Sequence, residues 1–209
     1  MKYRLFTLLI VIFICMTFFA HAGAQPRTTT GVRLSTLWFT PELVDGRYNT
    51  YMGNGPGFSA GIFFEDQLKP KIISVAEIGF ARLGTEVSVI RYSVGGYDGF
   101  TQSGFRGKVN FDYLTLSAGA KYFLSERLYA YPSFEVSHSV DGNIKIKKTT
   151  YNAGLRLGYA FNFLDITLGY VYGLKNQGSV YFKDDGAILG LNHRNRFWQG
   201  SISIPIKKF

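Results

Sequence analysis

Hydrophobic and polar residues alternate with a period of two along most of the chain beyond residue 25. The clearest stretch is 151–162, where one face is apolar and the other is small or polar. The apolar face carries Tyr151, Ala153, Leu155, Leu157, Tyr159 and Phe161. Successive side chains of a β-strand point to opposite sides, whereas an amphipathic helix repeats about every 3.6 residues. The pattern therefore predicts an all-β fold.

Eight segments show this alternation. They are 31–39, 58–65, 72–92, 113–122, 128–140, 151–162, 164–174 and 196–206. The segments 31–39, 72–92 and 196–206 are less regular than the other five, and we expect a β-bulge near Gly84 in 72–92. Asn162 and Phe163 lie between the sixth and seventh segments and predict a tight hairpin. The chain is thus expected to form eight antiparallel strands.

Short and long connections alternate strictly between these segments. The short ones are 66–71, 125–127 and the turn at 162–163, and the long ones are 40–57, 93–107, 141–149 and 175–192. The long connections are rich in Gly, Asn, Asp and Ser. Bacterial outer-membrane barrels have short periplasmic turns, longer outside loops and an even strand count. The sequence therefore predicts an up-and-down transmembrane β-barrel with its long connections outside the cell.

A soluble β-sandwich would also alternate, and the polar face distinguishes the two folds. In a sandwich this face meets water and carries many long charged side chains, but here it is mostly Gly, Ser, Thr, Asn and Ala. Small side chains suit the cramped interior of a closed barrel. The apolar faces of the five most regular strands contain no Lys or Arg, which would be costly in lipid.

The N-terminus resembles a secretory signal peptide. Lys2 and Arg4 precede an uncharged apolar run at 5–20, and small residues follow at 22–24. The run is shorter than the roughly 20 apolar residues that span a bilayer as a helix. The predicted organisation is a signal peptide at 1–24, removed near Ala24, and an outer-membrane β-barrel domain at 25–209. The expected location is the outer membrane of a Gram-negative bacterium.

Composition restricts the chemistry of the exported part. The single cysteine, Cys15, lies in the predicted signal peptide, so the remainder has no thiol, disulfide or cysteine metal site. Without residues 1–24 the chain has 21 Lys and Arg against 14 Asp and Glu, a formal charge of +7. On an exported barrel this charge favours lipid phosphates as neighbours and not nucleic acid. Lys145, Lys147 and Lys148 form a basic run that either binds such phosphates or is a solvated strand edge.

Charged residues also occur on the face predicted to point inward. They are Arg33, Glu65, Glu77, Lys121, Glu135, Arg156 and Asp165. Three positive and four negative charges nearly cancel, which in a low-dielectric lumen favours a paired network over a water-filled path. Glu135 and Asp165 are the inward acids nearest to Arg156 in strand order, and each is an expected partner. An eight-stranded barrel is just wide enough for side chains to fill.

Residues that could support catalysis do not converge. Ser137, Ser139 and Asp141 surround His138, and His193 lies at the predicted outer end of another strand. Neighbouring residues of a strand face opposite sides, so they do not meet at one reacting atom as a nucleophile and base must. Two histidines without a carboxylate cluster also fall short of a metal site. We therefore expect no catalytic residue, metal or cofactor.

Several strand segments carry a family resemblance. They include GVRLSTLWF, FSAGIFFEDQL, YLTLSAGAKYF, LYAYPSFEV and YNAGLRLGYAFNFLDITLGYVYGL. With these, the chain resembles the small outer-membrane β-barrel domain family of Bacteroidota, which includes PorT-like proteins and is similar to OmpA- and OmpX-like eight-stranded barrels. The resemblance implies a structural, binding or secretion-assembly accessory role. The implied partners are outer-membrane lipid or lipopolysaccharide, the barrel-insertion machinery, and other envelope or secretion proteins. A narrow small-solute channel remains the alternative, and an outer-membrane lipid-modifying enzyme is a third possibility.

Overall fold

The computed structural model describes residues 28–43, 49–94, 100–140, 149–176, 179–184 and 187–208. The strands are β1 (Thr29–Phe39), β2 (Glu42–Leu43), β3 (Asn49–Met52), β4 (Gly55–Lys69), β5 (Ile72–Val94), β6 (Phe100–Phe123), β7 (Leu128–Ser139), β8 (Thr149–Ala160), β9 (Asp165–Gly173), β10 (Ser179–Asp184), β11 (Ala187–Arg194) and β12 (Arg196–Lys208). These ranges contain no helix long and apolar enough to cross a membrane.

Eight of the strands form a closed antiparallel barrel. The ring runs β1-β4-β5-β6-β7-β8-β9-β12, and β12 pairs with β1 to close it. Each barrel strand pairs with the barrel strands before and after it in the chain, which is the up-and-down topology. Closure satisfies backbone hydrogen bonds on both sides of each strand wherever the eight strands overlap. The all-β, eight-stranded barrel predicted from the alternation is confirmed.

The β5–β6 hairpin is much longer than the rest of the barrel. β5 has 23 residues and β6 has 24, and an unbroken ladder joins them from Ile72↔Tyr122 to Val94↔Phe100. A transmembrane strand needs only about 9–11 residues. The hairpin therefore projects well beyond the other strands at the end of the long connections. The prediction of an irregular loop at 93–107 was wrong, because most of that segment continues the two strands.

Two other long connections also contain strands. The 40–57 connection includes β2 and β3, and the 175–192 connection includes β10 and most of β11. β10 pairs with β11, and β11 pairs with β2 through His193↔Leu43 and Arg194↔Glu42. Backbone N–H and C=O groups need partners, so extended connections pair with one another even where the sequence is rich in turn residues. Residues 141–148 of the remaining long connection lie outside the described ranges.

The predicted bulge near Gly84 lies on the neighbouring strand instead. The β5–β6 ladder passes Gly84↔Asn110 without a register shift. On the other side of β5, Met52 pairs with Val87 and Gly57 pairs with Leu83. The chain therefore advances by five residues from 52 to 57 while β5 advances by four, from 87 to 83. The extra residue therefore belongs to the 52–57 segment, and the predicted bulge in β5 was wrong. Gly84 allows the backbone of β5 to approach the neighbouring strand closely, because a Cβ at this position would lie only 2.8 Å from the Pro56 carbonyl oxygen.

The interior differs from the small and polar face that the sequence predicts. Its outer end, nearest the long connections, is an apolar cluster that includes Leu37, Phe39, Val87, Phe111 and Phe197. A second cluster near the short turns contains Phe63, Val75, Tyr129 and Tyr131. These side chains lie on the same strand faces as the inward charged residues. On β1, for example, Leu37 and Phe39 share the inward face with Arg33. The lumen is therefore layered, with polar groups between two apolar zones.

Glycine makes room for two tyrosine rings in this lumen. Tyr129 and Tyr131, both on β7, are fully buried. A Cβ on Gly158 of β8 would lie 2.2 Å from Tyr129 Cζ, and one on Gly119 of β6 would lie 2.6 Å from Tyr131 Cε2. Such distances are far below van der Waals contact, so each ring occupies the space that a side chain would need. The two glycines let large aromatic rings lie across a narrow interior.

This packing predicts a position-specific effect of alanine at glycine sites. Gly158→Ala should lower the free energy of unfolding by about 1–3 kcal/mol, because the Tyr129 ring must move. Gly200→Ala is the matched control, since the nearest atom to its Cβ would be Thr36 Oγ1 at 3.4 Å. We expect the control to change stability by no more than about 0.5 kcal/mol. Urea unfolding in detergent micelles measures both, and equal losses would contradict the assigned packing.

Candidate functional site

The seven charged residues predicted to face inward lie on the inner side of the barrel, each on a different strand. Arg33, Lys121 and Arg156 are almost completely buried. Burial of a charge is tolerated when it is paired and hydrogen-bonded, so the partners of these three cations determine what the lumen can do.

Lys121 is held between two carboxylates near the short-turn end. Its Nζ lies 2.7 Å from Glu65 Oε1 and also forms an ion pair with Asp165. Tyr129 donates a hydrogen bond to Asp165 Oδ2 at 3.2 Å, and the Lys121 ammonium lies 4.7 Å from the centroid of the same tyrosine ring. Strands β4, β6, β7 and β9 thus meet at one buried cation.

Arg33 forms a second centre of buried charge. It pairs with Glu77 of β5, and its Nε donates to Ser203 Oγ of β12 at 2.7 Å. Its guanidinium carbon lies 5.4 Å from the ring centroids of both Phe63 and Tyr131. Aromatic faces attract cations, so the rings hold the guanidinium where water would otherwise be needed.

Arg156 has a different partner from those predicted. Its Nε donates to Gln199 Oε1 at 3.0 Å, and its guanidinium carbon lies 5.1 Å from the Tyr131 ring centroid. Gln199 in turn donates to Ser35 Oγ at 3.0 Å, and Ser35 donates to Ser201 Oγ at 2.9 Å. This chain of hydrogen bonds links β8 to β12 and β1. The prediction that Arg156 pairs with Glu135 or Asp165 was wrong.

Strand register explains the difference. Glu135 lies opposite Asn152, and Asp165 lies opposite Ala160, so each acid is four residues from Arg156 along β8. Four residues of a strand span about 13 Å. Glu135 instead accepts hydrogen bonds from Ser137 Oγ at 2.7 Å and Asn152 Nδ2 at 2.8 Å.

Little open space remains in the lumen. A cavity in the polar layer offers about 20 Å³ to the centres of water molecules, which is room for one or two waters. Its lining includes Glu77, Glu135, Asn152, Arg156, Asn195 and Gln199. Towards the long connections the cavity meets the apolar cluster, including Leu37, Leu83 and Phe197. Side chains of the polar layer and of the apolar cluster therefore surround this cavity closely.

The residues considered for catalysis are separated. Ser137 is buried in the lumen and donates to Glu135, whereas His138 Nδ1 lies 3.1 Å from Thr149 Oγ1. His193 is fully buried at the outer end, with its ring centroid 5.3 Å from that of Phe111. The described residues contain no group of three or more His, Cys, Asp or Glu that could hold a metal ion. Asp141 and the basic run Lys145, Lys147 and Lys148 lie outside the described residues.

A charged cluster at the outer rim was missed by the sequence analysis. Arg194 and Arg196 lie on either side of the β11–β12 junction, and both guanidinium groups contact the ring of Tyr172 on β9. Glu42 of β2 pairs with both, at 2.5 Å from Arg196 Nη2 and 3.5 Å from Arg194 Nη1. Arg196 begins the last predicted strand segment, 196–206, but the pairing of β2 with β11, which brings Glu42 to the cluster, had no sequence signal.

Comparison with known proteins finds no matching family model and no match among curated proteins. Among solved structures, the chain is similar to the outer membrane protein OprG from Pseudomonas aeruginosa, with a TM-score of 0.50 and 11% identity over 86% of this chain and 95% of OprG. The chain has the outer-membrane β-barrel fold.

Two further structures are similar at lower TM-scores. Ail, the attachment invasion locus protein of Yersinia pestis in complex with the heparin analogue sucrose octasulfate, gives a TM-score of 0.46 and 10% identity over 86% of this chain and 99% of Ail. The outer membrane protease OmpT from Escherichia coli gives 0.43 and 9% identity over 87% of this chain and 95% of OmpT.

The outward surface fits this outer-membrane barrel fold. Such barrels carry an apolar band about 25 Å tall between two aromatic girdles. Large apolar side chains point outward around the barrel: Leu34, Ile62, Ile78, Leu114, Leu155, Leu157, Leu168 and Ile202 are 46–62% exposed. At the outer end Trp38 and Trp198 face each other across β1 and β12, with Tyr170 beside Trp198. Tyr159 and Phe161 lie at the short-turn end.

The Lys121 centre predicts a large effect of removing one buried cation. Lys121→Met keeps much of the side-chain volume but leaves Glu65 and Asp165 without their cation. We expect a loss of about 3–5 kcal/mol in the free energy of unfolding, as is typical when one partner of a buried pair is removed. Urea unfolding in detergent micelles measures this loss.

Arg106→Met is the matched control for that measurement. Arg106 pairs with Glu86 at 3.2 Å, but its side chain is 80% exposed. Exposed ion pairs contribute about 0–1 kcal/mol, so this variant should remain close to wild type. If both variants lost the same amount, Lys121 would be in contact with water and the buried network would be ruled out.

Proposed function

We propose that this chain is an exported, non-enzymatic outer-membrane barrel with a plugged polar lumen, acting in envelope structure, binding, or secretion and assembly. In this proposal residues 1–24 are a signal peptide that is removed near Ala24. The seven inward charges are structural, and none is catalytic. The mature barrel resides in the outer membrane of a Gram-negative bacterium, with its long connections outside the cell.

The observation that carries the proposal is the filled lumen. A solute channel needs a continuous polar path, but the cavity in the polar layer of the described lumen has room for about one or two waters. The cations that could line such a path are already engaged, Lys121 with two carboxylates and Arg33 with Glu77. Breaking buried pairs to admit water would cost several kcal/mol. The geometry therefore favours a plug over a pore.

The exposed apolar band supports the membrane location. Water-soluble monomers rarely expose contiguous apolar patches larger than a few hundred Å². In this chain half-exposed Leu and Ile side chains surround the barrel, and aromatic residues lie at both ends of the band. Transfer of such a surface from water to lipid is favoured in proportion to its area.

The expected partners follow from location, charge and resemblance. The excess of Lys and Arg over Asp and Glu suits acidic neighbours, such as the phosphates of outer-membrane lipid or lipopolysaccharide. Lys145, Lys147 and Lys148 are proposed contributors to that contact. The resemblance to PorT-like proteins supports an accessory role with envelope or secretion proteins and passage through the barrel-insertion machinery.

Conductance in planar bilayers tests the plugged lumen. We expect wild-type protein to insert without steady single-channel steps. The double variant Tyr131→Ala with Arg156→Ala removes two side chains that fill the mid-lumen, so it should conduct measurably. Folding of both proteins is verified by their faster migration on gels before heating. Steady ohmic steps from the folded wild type would establish the narrow-channel function in place of the proposed one.

A further inference from the structure

The outer-rim cluster brings two like charges together on one aromatic ring. The guanidinium carbons of Arg194 and Arg196 lie 5.3 Å and 5.0 Å from the ring centroid of Tyr172, and Arg194 also donates to the Tyr172 hydroxyl. Both arginine side chains are about 30% exposed, at 28% and 31%. The tyrosine thus fixes the two cations side by side at the surface of the barrel.

The cluster has more positive charge than its described partners neutralise. Glu42 is the carboxylate that both arginines share, and Asn176 Oδ1 accepts from Arg194 Nη2 at 3.3 Å. The Nε atoms of both arginines are buried and have no hydrogen-bond partner among the described residues, so they are not available to a ligand at the surface. Two guanidinium groups with one carboxylate leave a formal charge of +1 at the partly exposed ends of the two side chains. An anion with several oxygen acceptors would complement this arrangement.

The outward surface below the cluster changes from aromatic to aliphatic in order. Along β12 the outward positions after Arg196 are Trp198, Gly200 and Ile202, about 6.6 Å apart. Trp198 and Ile202 are half-exposed. Gly200 has no side chain, and the nearest atom to a Cβ there would be Thr36 Oγ1 at 3.4 Å. A shallow groove therefore lies between Trp198 and Ile202 on the outward surface.

We propose that this face is a binding site for one outer-leaflet lipid, with its phosphate on Arg194 and Arg196. The site rests on the membrane location proposed above. The phosphate oxygens accept hydrogen bonds from the two guanidinium groups, the part of the lipid that joins phosphate to acyl chains lies at the level of Trp198, and an acyl chain follows the groove at Gly200. This order of charge, aromatic ring and apolar groove along one face matches the order of groups in a phospholipid.

A lipid phosphate fits better than a free phosphate ion because the cluster is continuous with the apolar band. Trp198 is 52% exposed and Leu168 of the adjacent strand is 62% exposed. A free ion would contact the arginines alone, whereas a lipid would contact the arginines and the adjoining apolar surface together. The main rival is a structural clamp, because Glu42 and Arg194 are also Cα partners in the β2–β11 pairing.

The two tryptophans of the chain provide a local probe. Trp38 and Trp198 are its only tryptophans. Trp38→Phe leaves Trp198, which lies directly below the arginine pair, as the single fluorophore. The protein is reconstituted in phosphatidylcholine vesicles that contain a minor fraction of brominated phosphatidic acid, or the same fraction of brominated phosphatidylcholine. Bromine quenches Trp198 only in lipids that touch it.

We expect brominated phosphatidic acid to be enriched beside Trp198 by about fivefold over brominated phosphatidylcholine, as two partly exposed charge contacts allow. Arg194→Gln with Arg196→Gln should abolish the enrichment. Arg106→Gln, which removes an exposed arginine on β6, should leave it intact. Glu42→Gln should increase the enrichment, because it removes the carboxylate that competes for both guanidinium groups.

Each remaining outcome overturns a different statement. If neither lipid quenched Trp198, this face would not contact lipid and the membrane location would fail. Equal quenching by both lipids would reject the phosphate site while leaving the membrane location intact. If the arginine variants lost stability to urea but kept the enrichment, the cluster would be a clamp only. If excess inorganic phosphate removed the enrichment, the site would accept a free ion and the assignment to lipid would be wrong.

Discussion

The inner width of an eight-stranded closed barrel controls the rest of this structure. Such a ring leaves space for side chains and for very little water. Some of its large aromatic rings occupy space that a glycine on the neighbouring strand leaves free, as Tyr129 does beside Gly158. A charge that enters this space cannot keep its hydration shell, so it must meet an opposite charge, a hydrogen-bond partner or an aromatic face. Lys121 has all three.

The barrel uses its cations in two environments with different consequences. Inside, carboxylates and aromatic rings engage Lys121 and Arg33, and the cavity in the polar layer has room for about one or two waters. At the rim, Arg194 and Arg196 share Glu42 and remain partly open to the surroundings. Buried pairs are costly to break, whereas exposed guanidinium groups exchange partners readily. In the proposed function, the lumen is accordingly the closed part of the barrel and the outward face is the part that binds.

The two-residue alternation of hydrophobic and polar positions was enough to predict the barrel, its eight strands and the inward position of residues such as Arg156. This period could not predict how high along the barrel axis each residue lies, because alternation determines which side of the sheet a residue faces but not the register between strands. Arg156 consequently meets Gln199 and not the acids of neighbouring strands. The rim cluster was also beyond sequence reasoning, since Glu42 reaches Arg194 through the pairing of two connections predicted as loops. Turn-rich composition concealed those strands.

Water exchange at arginine Nε–H groups tests the closed lumen most directly. Solution NMR of protein with isotopically labelled arginine in lipid nanodiscs measures it, and single substitutions such as Arg156→Lys assign the signals. Arg33 and Arg156 donate from Nε to Ser203 and Gln199 inside the barrel, so their signals should exchange far more slowly than that of exposed Arg106. Equally rapid exchange at all three arginines would show that water fills the lumen and would contradict the plugged barrel.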